Sequence, residues 1–261
     1  PVKIGKWQPR NFNSKYAGKI TVADGLAKSV NTVAVRVAMK AGINRVASTS
    51  RSLGIDPGEK PDASIALGTV ETSLLELTAA YTAFANGGDG VIPYGIVEIR
   101  DGGGEILYRR KGAGPGKVMQ PRHVGAMNRM LRQVIDTGTG KAAKLDREAA
   151  GKTGTSQNYR DAWFVGYTAD FVAGVWLGND NGAAMKNVTG GSFPARIWRD
   201  VMKAAHSGMP ARSLPSPSGG QGFFEKLFGA IEDVKQEASK VIENAEPASE
   251  APDFPPAPDG N

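Results

Sequence analysis

Two short runs of residues stand out for the chemistry their side chains permit: Gly151-Lys152-Thr153-Gly154-Thr155 and Ser29-Val30-Asn31. Gly-Lys-Thr closes the phosphate-binding pattern G-x-x-x-x-G-K-[ST], whose backbone N–H groups cradle anionic oxygens. That pattern requires glycine at position 146, where Asp146 stands, and a helix where Trp163 to Trp176 reads as a hairpin. The phosphate-loop reading fails on both counts. The other chemistry that uses Lys-Thr-Gly is acyl transfer through a serine nucleophile, by the set S-x-x-K, S-x-N and K-T-G. Ser29-Val30-Asn31 supplies an S-x-N, and the 123 residues from Ser29 to Lys152 allow the two motifs to line different walls of one cleft. A second S-x-N, Ser156-Gln157-Asn158, abuts the Lys-Thr-Gly and cannot face it across a cleft. Each tripeptide taken alone is common.

The elements that must carry these residues follow from periodicity and punctuation. Val22, Leu26, Val30, Val33 and Val37 recur at helical spacing, but polar Lys28 to Thr32 predicts a break, with a second helix capped by Asn31 or Thr32. Residues 45–53 and 72–85 are further helices, the second stopped by Asn86-Gly87-Gly88. Residues 96–100 and 105–109 form a hairpin around Asp101 to Gly104. Pro121 opens an amphipathic helix to Asp136, with Val124, Met127, Met130, Leu131, Val134 and Ile135 inward. A second hairpin joins residues 162–168 to 171–178, and a last helix of the body covers 197–205. Interspersed helices and antiparallel hairpins predict an α+β fold, a mainly antiparallel sheet packed with helices.

The flanks of the motifs carry more information than the motifs. Ala27-Lys28-Ser29-Val30-Asn31-Thr32-Val33-Ala34-Val35 resembles the second motif of class A penicillin-binding proteins with its surroundings. So do Ala66 to Glu71 with Glu76-Leu77, and Tyr81 to Gly88. Ala150 to Ser156 followed by Arg160 to Tyr167 resembles the third motif and the strand after it. Val175 to Asp180 and Gly190-Gly191-Ser192 through Ile197-Trp198 continue the match in order. The resemblance runs over about residues 1–205 and implies a serine transpeptidase/β-lactamase-like fold, N-terminally truncated.

It also implies roles. Ser29 would relay a proton between the catalytic lysine of S-x-x-K and the leaving amine, and Asn31 would hold the acyl amide of the substrate. Lys152 would supply positive potential towards Ser29 and the substrate carboxylate, which the Thr153 and Thr155 hydroxyls would bond. Gly154 would let substrate lie on the strand edge, and the Thr155 N–H would form half of an oxyanion hole. The implied reaction joins a stem peptide ending in D-Ala-D-Ala to an acceptor amine, with β-lactams as inhibitors and no metal or cofactor. No serine here is followed by lysine three residues later. The family places that motif roughly 60 residues before S-x-N, so the nucleophile is expected upstream of Pro1 and the chain alone is expected to be inactive. An upstream membrane helix and glycosyltransferase domain, a place at the periplasmic face of the inner membrane and cell-wall synthesis partners are implied likewise. A serine β-lactamase-like hydrolase, suggested by Glu71, and a non-catalytic β-lactam-recognising pseudoenzyme remain open alternatives. Leu74-Leu75 departs from the family, which often has proline there.

Composition bounds the rest. The 261 residues are 40% hydrophobic and 22% charged, a globular balance, with 34 glycines. Net charge is +6, but residues 211–261 hold four basic and nine acidic residues, leaving +11 for the rest. Basic residues are scattered without an aromatic-basic module, which argues against nucleic acid. Cysteine is absent, so disulfide and thiolate chemistry are excluded, and His123 and His206 lack partners at metal-ligand spacing. Trp163, Trp176 and Trp198 read as core. No apolar run of 18 residues exists, and Pro1 to Trp7 shows neither initiator Met nor signal pattern. The predicted division is 1–208 as the C-terminal part of the transpeptidase domain, and 209–261 as linker, amphipathic helix and disordered acidic tail.

Overall fold

A computed structural model describes residues 1–112 and 114–216. The amphipathic helix and acidic tail expected near the C-terminus lie outside the described residues. Thr21 caps α1 (Val22–Ala27), its Oγ1 accepting from the Asp24 N–H at 3.0 Å. α2 (Asn31–Ala41) starts after the expected break, but neither Asn31 nor Thr32 caps it with its own side chain. The cap comes from a distance: buried Asn11 accepts through Oδ1 from the Thr32 N–H at 3.1 Å and the Thr32 hydroxyl at 3.2 Å. α3 (Ile43–Ser52) follows, then α4 (Leu74–Ala85), opened by a capping box. There Ser73 Oγ accepts from the Glu76 N–H while Glu76 Oε2 accepts from the Ser73 N–H, so two orphan donors are satisfied reciprocally.

β1 (Asp89–Gly90) leads into the predicted hairpin of β2 (Glu98–Arg100) and β3 (Ile106–Arg109). β4 (Gly116–Lys117) returns to pair with β1, a two-residue ladder too short to leave a periodic signal. α5 spans Pro121–Asp136, as its spacing predicts. β5 (Ala150–Thr155), β6 (Asp161–Tyr167) and β7 (Val172–Gly178) form an antiparallel sheet in the order β5-β6-β7. α6 (Phe193–Ala205) begins four residues earlier than expected, because Pro194 occupies the first turn, where its missing N–H leaves nothing unpaired.

The sheet is covered on both faces, which is why β6 is buried along most of its length. Phe164 points to α6 and meets Trp198 edge-on at 5.2 Å between ring centroids, in a cluster with Ile135, Ala195 and Met202. Tyr167 points to the opposite face, against Phe84 of α4 and Leu131 and Val134 of α5. Its hydroxyl donates to Asn128 Oδ1 at 2.6 Å, and Asn128 Nδ2 donates to the Phe84 carbonyl at 3.1 Å. A buried polar side chain is tolerated when paired in this way.

Two expectations need correction. Trp198 is fully buried, but Trp163 is only half-buried and Trp176 is 37% exposed, its Nε1 donating to Asp161 Oδ1. Trp163 and Trp176 are register partners across β6 and β7, their ring centroids 6.3 Å apart. The stretch 209–216, expected as linker, is fastened to the body. Leu214 is buried with Phe84 and Leu131, its N–H donates to Glu148 Oε2 at 3.0 Å, and the Pro215 carbonyl accepts from Asn128 Nδ2 at 2.8 Å. Arg147 donates to the Met209 carbonyl and Arg212 to Asp170 Oδ1. Ser/Pro-rich composition reads as linker, yet one leucine and four polar anchors outweigh it.

Candidate active site

Ser29 sits in the turn between α1 and α2 with φ 53°, the left-handed region. Its N–H donates to the Leu26 carbonyl at 3.1 Å, and the Val30 N–H donates to the Gly25 carbonyl at 2.8 Å. Those two bonds define a Schellman motif with Ser29 at the position glycine usually takes. A side chain at that position carries a steric cost that glycine would avoid. Asn31, two residues on, is fixed from outside the helix: its Nδ2 donates to the Arg10 carbonyl at 2.7 Å. Segment 10–11 thus orients both the Asn31 amide and the start of α2.

Lys152 comes from β5, a sheet-edge strand among the described residues. Its Nζ donates to Ser29 Oγ at 2.7 Å across 123 residues of sequence, and to the Thr153 carbonyl at 2.9 Å. Burial lowers its pKa to about 8. The ammonium is held where solvation is poor and losing a proton near neutral pH becomes accessible. The junction between the two walls is reinforced behind Lys152. The Thr139 N–H donates to the Ala27 carbonyl at 3.1 Å, and the Thr139 hydroxyl meets the Thr153 hydroxyl at 2.6 Å. Gly138 makes this approach feasible, since a Cβ there would lie 2.2 Å from the Ala27 oxygen.

Strand alternation separates the remaining motif residues. Lys152 and Gly154 share one face; Thr153 and Thr155 share the other, opposite Phe164 and Ala162. Thr153 is buried and its hydroxyl is engaged by Thr139, which departs from the expectation of a hydroxyl open to a substrate. Thr155 is half-buried, and its Oγ1 accepts from the Gly190 N–H at 3.1 Å, which leaves its own proton available. A Cβ on Gly154 would point at Trp163 Cβ, 3.2 Å away. The Ser156 N–H donates to the Asp161 carbonyl in register, so by antiparallel alternation the Thr155 N–H and C=O face the open edge. The Thr153 carbonyl faces the same way, consistent with its bond to Lys152.

Residues 1–203 match the penicillin binding protein transpeptidase domain family. The chain belongs to that family. Among its relatives, penicillin-binding protein 1A of Aquifex aeolicus is 38% identical over 219 residues, covering 83% of this chain and 30% of that protein. The crystal structure of penicillin-binding protein 1A from Haemophilus influenzae superposes with a TM-score of 0.75 at 26% identity, over 84% of this chain and 39% of that one. The PonA1 protein from Mycobacterium tuberculosis, solved in complex with penicillin V, gives a TM-score of 0.75 at 23% identity, over 84% of this chain and 65% of that one. This penicillin-binding protein domain therefore has its family's fold, and the chain spans about a third of its curated relative's length. Of the residues singled out in the sequence, Ser29 and Lys152 are brought into contact, while Asn31 bonds to the Arg10 carbonyl; Asn11 and Thr139, which hold this junction, were not singled out. Neither lies in a periodic or motif context; Thr139 sits in the alternation Thr137-Gly138-Thr139-Gly140, the one local hint of a close backbone approach.

Proposed function

We propose that this chain is part of a peptidoglycan DD-transpeptidase that cross-links stem peptides ending in D-Ala-D-Ala through a serine acyl-enzyme. The observation that carries the reading is the 2.7 Å bond from Lys152 Nζ to Ser29 Oγ, which joins two motifs with no local reason to meet. Capping residues and a surface lysine would have no cause to converge. No Ser-x-x-Lys occurs in the 261 residues, and the match covers 30% of a curated relative, so the nucleophile belongs to a longer polypeptide.

In that reading Ser29 passes the nucleophile's proton towards the leaving amine, with Lys152 biasing the relay through its charge. Asn31 holds the acyl amide. The Thr155 N–H on the open edge stabilises the tetrahedral oxyanion, together with the N–H of the nucleophilic serine; one such donor is worth about 10²–10³ in rate. Thr155 donates its free hydroxyl proton to the substrate carboxylate, and Thr153, held by Thr139, keeps β5 against α1 and supports that carboxylate only indirectly. Gly154 packs on Trp163 and keeps the strand flat for the substrate. β-Lactams occupy the same groove. A glycosyltransferase domain, a membrane anchor and a periplasmic working place belong to the longer polypeptide; among the described residues no helix is long and apolar enough to cross a membrane.

The test is acylation by a labelled penicillin. The 261-residue chain alone should give no adduct that survives denaturation, and the longer polypeptide should give one. In the latter, Ser29→Ala should slow acylation by about 10²–10⁴. A labelled band on the short chain, or full-speed acylation of the Ser29→Ala variant, would refute the assignment.

A further inference from the structure

Beyond the three motifs, a second bridge joins the walls of the cleft. Phe12 and Tyr159 meet edge to face, with ring centroids 5.9 Å apart at 82°. Phe12 belongs to the wall that carries Ser29 and Asn31. It follows Arg10, whose carbonyl holds Asn31, and Asn11, which caps α2. Its Cα is therefore within about 7 Å of Arg10 Cα. Tyr159 belongs to the other wall, four residues beyond Thr155 on the turn that leaves the open strand.

Both residues are placed at a cost. Phe12 is 65% exposed, so its ring gains little from burial in the body. Asn158 and Tyr159 are consecutive left-handed residues, φ 60° and 56°. Asparagine adopts that conformation readily; tyrosine does so at a steric cost, and strain of this kind persists where surrounding contacts enforce it. The Met185 N–H, donating to the Tyr159 carbonyl at 2.9 Å, is one such contact. Glycine would be the unstrained residue at 159, but it would bring no ring. The second S-x-N of the sequence, Ser156 to Asn158, thus builds a turn: Ser156 Oγ accepts from the Asp161 N–H at 2.8 Å.

A chain laid along β5 from Lys152 past Thr155, with its amide held by Asn31, continues towards the Phe12–Tyr159 bridge. We propose that Phe12 and Tyr159 form an aromatic clasp that grips the acyl side of the bound substrate beyond the amide, and so set specificity for apolar or aromatic acyl chains. The inference rests on the transpeptidase reading of the same cleft. The rings offer faces and edges to apolar groups and no charge, so the recognised feature is the acyl chain's hydrophobic body.

The experiment uses the longer polypeptide that carries the nucleophile, and two penams: phenoxymethylpenicillin, with an aryl acyl chain, and 6-aminopenicillanic acid, with none. Phe12→Ala should lower the acylation rate constant for phenoxymethylpenicillin about tenfold and leave that for 6-aminopenicillanic acid within twofold. Tyr159→Ala should repeat this selectivity, and Tyr159→Phe, which keeps the ring, should behave as wild type. Equal losses on both penams would make the pair a structural latch and overturn the proposal, as would no change on either. A wild-type protein unreactive with both would instead overturn the transpeptidase reading, and the clasp with it.

Discussion

Ser29 is the residue where backbone strain and chemistry meet, and two substitutions separate them. Ser29→Ala and Ser29→Gly both delete the hydroxyl that Lys152 Nζ contacts at 2.7 Å, so that loss cancels in their comparison. They differ in the backbone. At φ 53° an L side chain crowds its own carbonyl, a cost of about 1–2 kcal/mol that glycine avoids. Glycine gives back about 0.5–1 kcal/mol through the greater freedom of its unfolded chain. The Gly variant should therefore be the more stable of the two by about 0.5–1 kcal/mol. The two backbone bonds of the turn, Ser29 to Leu26 and Val30 to Gly25, need no side chain and should survive in both. Urea unfolding at fixed pH reads the difference as a shift in midpoint at unchanged slope. Acylation of the longer polypeptide should be crippled equally in both variants. Equal stabilities, or Ala above Gly, would mean that Ser29 does not occupy the left-handed position. Intact acylation in both variants would mean that its hydroxyl is idle.

Lys152 gives a pH signature. Its folded pKa of about 8 lies below the usual lysine value, so between about pH 8 and 10.5 the unfolded chain binds the extra proton and stability rises with pH, by no more than about 1.4 kcal/mol per unit. Below that window the cost of burying the ammonium is fully present; in Lys152→Met the rise should vanish, as denaturation midpoints across the window would show, and a persistent rise would assign it to another group. Leu214→Ala should cost about 2 kcal/mol, because the side chain fills a cluster with Phe84 and Leu131. A change below about 0.5 kcal/mol in urea unfolding, as expected of a surface site, would return residues 209–216 to the status of linker.

Much of the fold was legible because its signals are local. α5 begins at its proline and ends where its periodicity ends, and the β6–β7 hairpin turns at Ala169-Asp170 as its alternation requires. Errors cluster where the deciding partner is remote. Thr32 looked like a cap because its type suits one, yet the cap is Asn11, 21 residues away, and no helical or strand period links the two. Leu214 is a lone apolar residue among serines and prolines, and only its packing against Phe84, Leu131 and Val134 makes it core. Trp176 read as core, but its indole N–H donates to Asp161, 15 residues away, and the residue remains 37% exposed.

The site divides along the same line. Residue types and flanks singled out Ser29, Asn31 and Lys152, but they could not say which helix covers each face of β5. Alternation from Lys152 alone would have put Thr153 and Thr155 together on the far face, and pairing with Phe164 and Ala162 makes that face the α6 side. From there the two threonines diverge for a reason that lies outside the motif. Thr139 reaches Thr153 and buries it, whereas Gly190 presents only a backbone N–H to Thr155 and leaves its proton free. Two residues of one type, two apart on one strand, thus differ in what they can offer a carboxylate. The difference belongs to their neighbours at 139 and 190, which no reading of Lys-Thr-Gly-Thr contains.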